Sequence, residues 1–130
     1  MPGLRPPVPG MADPLVFGRA CEALAANRLI ADGWRIIARN YRFGRREIDL
    51  IASRRSVVAF IEVKGRRGTG YGHPLEAITW RKRDEIQTVA RHWIERHGSV
   101  GQTYRFDAVA VTLSASGTPL VEHVEDAWRV

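Results

Sequence analysis

Cysteine is nearly absent from this sequence. Cys21 is the single one among 130 residues. That excludes an internal disulfide and any zinc or iron–sulfur site built from several cysteines, and it points to a reducing compartment. Lysine is almost as scarce, since of 20 lysines and arginines only Lys64 and Lys82 are lysines. No run of 18 apolar residues occurs, and the first residues hold no hydrophobic stretch suited to export. A membrane span and a secretory signal are therefore not expected, and a cytoplasmic location is. There is no Gly-x-Ser-x-Gly. The glycine-rich stretch 65–74 (GRRGTGYGHP) lacks the Gly-Lys-Ser/Thr of a phosphate-binding loop. His73, His92, His97 and His123 form no pair at metal-ligand spacing, and His92 and His97 fall off a common helical face.

What remains is globular. Apolar residues make up 45% and charged residues 26%, near the average for folded domains. The length suits one domain with one sizeable core. A formal net charge of +6 and a pI near 10.4 suit a polyanionic partner, nucleic acid ahead of an acidic membrane surface. A basic surface kept for solubility is the plainer alternative. Arginine replaces lysine cheaply on an open surface but poorly where a compact ammonium is needed. The two retained lysines thus mark a candidate site, with chance retention as the competing explanation.

Residues 1–12 (MPGLRPPVPGMA) are aperiodic and rich in Pro and Gly, and predict a disordered N-terminal extension before a single domain over 13–130. Met11 is a candidate second start. Asp13-Pro14 reads as an N-cap and first helical residue, opening a helix over about 14–32 that stops at Gly33. Strands are expected over 34–42, 47–52 and 57–64, the last two as a tight antiparallel hairpin. A second helix begins near 75 or 79 and stops at Gly98. Strands over about 103–113 and 120–125 follow. The expected order, α-β-β-β-α-β-β, describes an α/β fold around a mixed sheet.

The acidic residues sit in unusual company. Glu47 and Asp49 share a strand face, as do Glu62 and Lys64. A two-residue turn on Arg55-Ser56 would set Asp49 opposite Glu62, with Cβ atoms about 5 Å apart. Two carboxylates that close need a cation or a shared proton between them, and hard oxygens so placed suit Mg²⁺ or Mn²⁺. Both acids lie inside apolar runs, where an unpaired charge is costly. An exposed strand face with cross-strand ion pairs is the other reading. Glu22 shares a helical stripe with Gly18, Ala25, Ala26 and Leu29 and so can face the sheet. The opposing stripe of Phe17, Cys21 and Leu24 is also apolar, which leaves the buried side open. Lys82 stands at the N-terminal end of the stripe Ile86, Val89, Ala90, Trp93 and Ile94, where it can snorkel or reach a phosphate. Trp80, Trp93 and Tyr71 are candidates for base stacking, with Trp93 more simply core. Asp107 heads an apolar run and is suited to tie its strand to a nearby arginine.

Glu22, then 26 residues, Asp49, then 12 residues, Glu62-x-Lys64 resembles the PD-(D/E)xK nuclease superfamily. More closely, the chain is similar to the bacterial YraN family. The matching stretches are Gly18-Arg19-x-x-Glu22, Gly33-Trp34 with Arg39-Asn40, Glu47-Ile48-Asp49-Leu50-Ile51, and Phe60-Ile61-Glu62-Val63-Lys64 with Arg66. Tyr71-Gly72-His73-Pro74 with Glu76-Ala77-Ile78, Lys82 and Arg105-Phe106-Asp107 continue the match, in order, over about residues 15–112. The resemblance implies a restriction-endonuclease-like αβββαβ core, its mixed sheet flanked by helices, and archaeal-type Holliday junction resolvases as the nearest characterised analogues. It implies Asp49, Glu62 and the Val63 carbonyl as metal ligands, Lys64 as the residue that orients or activates water, Glu22 as a helix acid near the metal, and Lys82 as an auxiliary cation. One departure stands out: Arg46 occupies a position where the family usually has glycine.

Eleven of the 20 basic residues fall between Arg42 and Arg83, and Lys82, Arg66, Arg46 and Arg45 are assigned to nucleic acid, where they would hold phosphates without reading sequence. The expected function is a Mg²⁺- or Mn²⁺-dependent, structure-directed DNA endonuclease. The alternative is a non-catalytic nucleic-acid- or partner-binding module on a nuclease fold, and an RNA-processing nuclease is a third reading. The expected partners are nucleic acid, DNA first, and a second copy of the chain as a homodimer, with no membrane.

Overall fold

The computed structural model describes residues 12–115 and 117–129. Of the Pro/Gly-rich stretch 1–12, expected to be disordered, residues 1–11 lie outside the described residues. The elements are α1 (Pro14–Ala31), β1 (Arg35–Phe43), β2 (Arg46–Arg54), β3 (Val57–Arg67), a 3₁₀ turn (Pro74–Ala77), α2 (Trp80–His97), β4 (Thr103–Leu113) and β5 (Leu120–Trp128). They follow the expected order.

Local chemistry explains the boundaries. Asp13 caps α1 by accepting the Leu15 N–H at 2.8 Å, with Pro14 in the first turn, where its missing N–H costs nothing. The helix closes with Trp34 N–H on the Leu29 carbonyl and Gly33 N–H on that of Ile30. Gly33 takes φ 92° there, a conformation glycine adopts without penalty. Thr79 caps α2 by accepting the Lys82 N–H at 3.1 Å. β3 runs three residues further than expected, to Arg67, because parallel pairing with β4 continues to Arg67↔Leu113. β5 runs on to Trp128 through an irregularity opposite Phe106/Ala108. At that level fully buried Asp107 accepts the Asp126 N–H at 2.9 Å and two bonds from Arg105, with His123 Nε2 at 2.8 Å. The buried charge is thus matched on every side, as burial demands, and it pins β5 to β4.

The five strands lie in the order β1-β2-β3-β4-β5, antiparallel except for β3 and β4. α2 crosses between that parallel pair, as parallel neighbours require. Each helix covers one face. Cys21, Ala25, Ala26 and Leu29 of α1 pack on Leu50, Ala52, Ala59, Ile61, Val63, Val109 and Val111. Ile86, Val89, Ala90 and Trp93 of α2 pack on Ile48, Ile51, Val58, Phe60 and Ala108. The result is the α/β layering of a restriction-endonuclease-like core. No described helix is long and apolar enough to cross a membrane.

Candidate metal centre between two splayed strands

The site starts from a break in the sheet. β2 and β3 pair from Arg54↔Val57 to Leu50↔Ile61, around a two-residue turn on Arg55-Ser56, and the ladder ends there. The next step of that register brings Asp49 to Glu62. Asp49 turns its side chain into the opening instead, and its Oδ2 accepts the Val63 N–H at 2.8 Å. A strand residue's N–H and C=O lie on the same side, so the Val63 carbonyl looks into the same gap.

The neighbouring ladder is disturbed at the same level. Pairing of β1 with β2 passes from Arg39↔Leu50 to Tyr41↔Ile48 without a change of register, skipping the facing positions Asn40 and Asp49, and the φ of 51° at Asn40 is left-handed. Ile48 and Ile51, three apart, then serve the same core on the α2 side, while Leu50 serves the other. The alternation of faces is interrupted at Asp49, which groups on both sides of the sheet can reach.

From the α2 side comes Glu62, which is 5% exposed. Among the described residues its Oε2 is buried without a hydrogen-bond partner, and its Oε1 lies 3.9 Å from Lys82 Nζ. Lys64, two residues on, is exposed on the same strand face. From the α1 side come Glu22 and Glu47, and carboxylate oxygens of Glu22, Glu47 and Asp49 lie within 4.8 Å of one another. Asn40 holds these acids: its amide donates to Glu22 at 3.0 Å and to Glu47 at 2.9 Å. Arg19 pairs with Glu22 at 3.1 Å and Arg42 with Glu47 at 3.1 Å.

Burial raises the Asp49 carboxyl above the ordinary range. The Val63 N–H opposes that shift and the charge of Glu22 adds to it. Glu62 is raised further, by burial first and by the Asp49 charge second, against the pull of Lys82. Such a pair is at ease with a proton or with a cation. The donors fit a hard divalent ion: all are oxygens, and one of them, Glu62 Oε2, is buried with no hydrogen-bond donor among the described residues and the Asp49 carboxyl beside it. Asp49, Glu62 and the Val63 carbonyl could hold such an ion from the α2 side. Glu22 and Glu47 face Asp49 from the other.

The remaining basic candidates divide. Arg45 and Arg46 are exposed where β1 turns into β2, with Gly44 at φ 64° forming that turn. The turn glycine thus precedes Arg46 by two residues. Arg66 is buried, donates to the Gly72 carbonyl at 3.0 Å and lies over the Tyr71 ring, so its guanidinium anchors the glycine-rich loop. Glu47 and Asn40 are the residues that sequence reasoning left without a role. Glu47 was legible as a face-mate of Asp49. Asn40 carried no signal beyond its place in a matching stretch, because its function depends on a left-handed kink in β1.

Comparison with known proteins adds the lineage. The model of the family described as "Uncharacterised protein family UPF0102" matches residues 21–111, which includes Glu22, Asn40, Glu47, Asp49, Glu62, Lys64 and Lys82. A UPF0102 protein of Rhodococcus jostii is 42% identical over 118 residues, covering 91% of this chain and 100% of the relative. A UPF0102 protein of Chloroherpeton thalassium is 44% identical over 122 residues, covering 88% and 95%. Another, from Chlorobaculum tepidum, is 41% identical over 125 residues, covering 92% and 97%. With a match that runs through both helices and the split strands, this chain belongs to the UPF0102 family.

Proposed function

We propose that the protein is a divalent-metal-dependent endonuclease that hydrolyses phosphodiester bonds in structured DNA. The observation that carries this reading is the orphaned Glu62 Oε2 beside Asp49 at the strand split. A buried acid oxygen without a partner is costly, and a cation is what that oxygen set suits. Mg²⁺ or Mn²⁺ held by Asp49, Glu62 and the Val63 carbonyl would supply Lewis-acid stabilisation of phosphate charge.

The chain's own residues do the rest. Lys64 presents an ammonium on the strand face of Glu62, where it can orient water for attack on phosphorus and offset the charge that builds on the phosphate oxygens. Water oxygen bonds to phosphorus, the P–O bond to the leaving strand breaks, and the water proton passes to solvent or to the departing oxygen. Arg45 and Arg46, exposed at the β1–β2 turn, hold flanking phosphates. Lys82 adds charge beside Glu62.

One observation favours the second reading, a binding module without catalysis. The α1-side acids are already matched from within, Glu22 by Arg19 and Asn40, and Glu47 by Asn40 and Arg42. The deciding experiment incubates labelled branched, nicked and single-stranded DNA with Mg²⁺ or Mn²⁺ and compares wild type with Asp49→Asn and Glu62→Gln. Cleavage by wild type alone supports the endonuclease. Binding without cleavage in any metal gives the lead to the module.

A further inference from the structure

Trp80 is the first residue of α2 and is 72% exposed. The chain's other tryptophans, Trp34, Trp93 and Trp128, are all buried. An indole in this position adds to neither core and leaves apolar area in water. Its mounting is rigid. The Arg83 guanidinium lies 4.3 Å from the Trp80 ring centroid and 5.8 Å from that of buried Trp128. Arg83 is itself fixed, donating to the Ile78 carbonyl at 3.2 Å and the Leu75 carbonyl at 3.3 Å. One face of the indole is thus backed by an anchored cation, and the ring otherwise stands in solvent.

Its place in the fold ties it to the carboxylates. Lys82, in the same helical turn, reaches to 3.9 Å from Glu62. Residues two apart on a helix point to opposite flanks, so the indole and the lysine head are separated by about one helix diameter, ~10 Å. That is about three nucleotides at ~3.4 Å each along a stacked strand. Arg81, exposed in the same turn, adds positive charge beside that path.

We propose that Trp80 is a stacking platform for an unpaired base of the nucleic acid whose phosphates lie toward Glu62; that direction rests on the endonuclease reading above. Stacking accepts any base, because every base has a π-face. A base inside an intact duplex already has neighbours on both faces, so the platform selects strands with unpaired nucleotides, such as flaps, gaps and open junctions.

The test measures binding of a fluorescent oligothymidine and of a duplex of equal length in EDTA, so that neither metal nor cleavage enters. Wild type, Trp80→Ala and Trp80→Phe are compared. The proposal expects Trp80→Ala to weaken the single strand about tenfold, within the roughly 5- to 150-fold that one base–aromatic stack is worth. Duplex affinity should change less than about twofold, and Trp80→Phe should recover much of the loss. Unchanged single-strand affinity in Trp80→Ala overturns it, as does an equal loss for both ligands or a wild type that binds no single strand. Sedimentation checks the other occupant: a wild-type dimer that Trp80→Ala splits makes the indole an interface between copies and overturns the proposal. Failure of the endonuclease reading shows up separately, as absent cleavage with Mg²⁺ or Mn²⁺, and leaves this result readable.

Discussion

Asn40 links the backbone to the chemistry. Its φ of 51° is one that asparagine tolerates better than most side chains, and its amide bridges Glu22 and Glu47. Asn40→Ala loses the amide and adds strain, and should cost about 1–3 kcal/mol. Asn40→Gly loses the amide alone and should cost less. Urea midpoints read this directly, and an alanine variant more stable than the glycine variant contradicts the strain argument. Lys64 poses the complementary question, since its setting is open and its effect should fall on rate. A guanidinium is larger and hydrogen-bonds as a fork, so Lys64→Arg should lower single-turnover cleavage about 10²–10³-fold, the usual cost of one misplaced charge stabiliser. DNA affinity should barely move, because the charge is retained. Cleavage at the wild-type rate would remove Lys64 from the reaction.

The packing of α1 on the sheet turns on Gly65 of β3. A Cβ built there lies 2.6 Å from Cys21 Sγ and 2.8 Å from Phe17 Cε1, closer than side chains approach. Gly65→Ala should destabilise the fold by about 1–3 kcal/mol through overpacking, and adding Cys21→Ala should recover part of that loss, since the two sites share a contact. Additive thermal shifts in the double variant would show that the clash is not shared. This close approach explains what the α1 pattern left open. Cys21 and Ala25 face the sheet squarely, and Glu22 is carried to the rim of the buried side, neither core nor fully solvated. Local rules made other elements legible. Caps at Asp13 and Thr79 act within one turn, and the Asp49–Glu62 register follows from a two-residue turn plus strand alternation. Features set by distant partners were not legible. Asn40 needs its left-handed backbone, the inward course of Arg66 needs the Gly72 carbonyl, and the contrast between exposed Trp80 and buried Trp93 needs the packed sheet.

At the scale of the whole molecule, charge and protonation are coupled. With a net charge of +6 and no groove-reading motif, DNA affinity should fall steeply with salt through counterion release, and a flat response between about 50 and 200 mM would contradict a phosphate-based interface. Stability carries a second dependence, through the buried acids. Burial pushes Asp49 up to about 6 and Glu62 up to about 8, whereas unfolded carboxyls titrate near ~4. Between these limits the folded protein holds more protons than the unfolded chain, so its stability falls as pH rises through the window. The pair therefore weighs against the metal-free fold at pH 8. Asp107 acts with the opposite sign. Its carboxyl is held low by His123 and Arg105 against the cost of burial, so its contribution is present above the ordinary carboxylate range and is lost on strong acidification. The metal-free protein should therefore melt highest at about pH 4 and lose stability from there to about pH 8, and Glu62→Gln should flatten that slope. Mn²⁺ reverses the trend. Its ligands must shed protons to bind, so the melting-temperature gain should grow with pH and should vanish in Asp49→Asn. Melting curves of wild type, Glu62→Gln and Asp49→Asn across this range, with EDTA or with Mn²⁺, measure both effects. An unchanged slope in Glu62→Gln would locate the proton uptake elsewhere, and an equal Mn²⁺ gain in Asp49→Asn would remove the strand split as the metal centre.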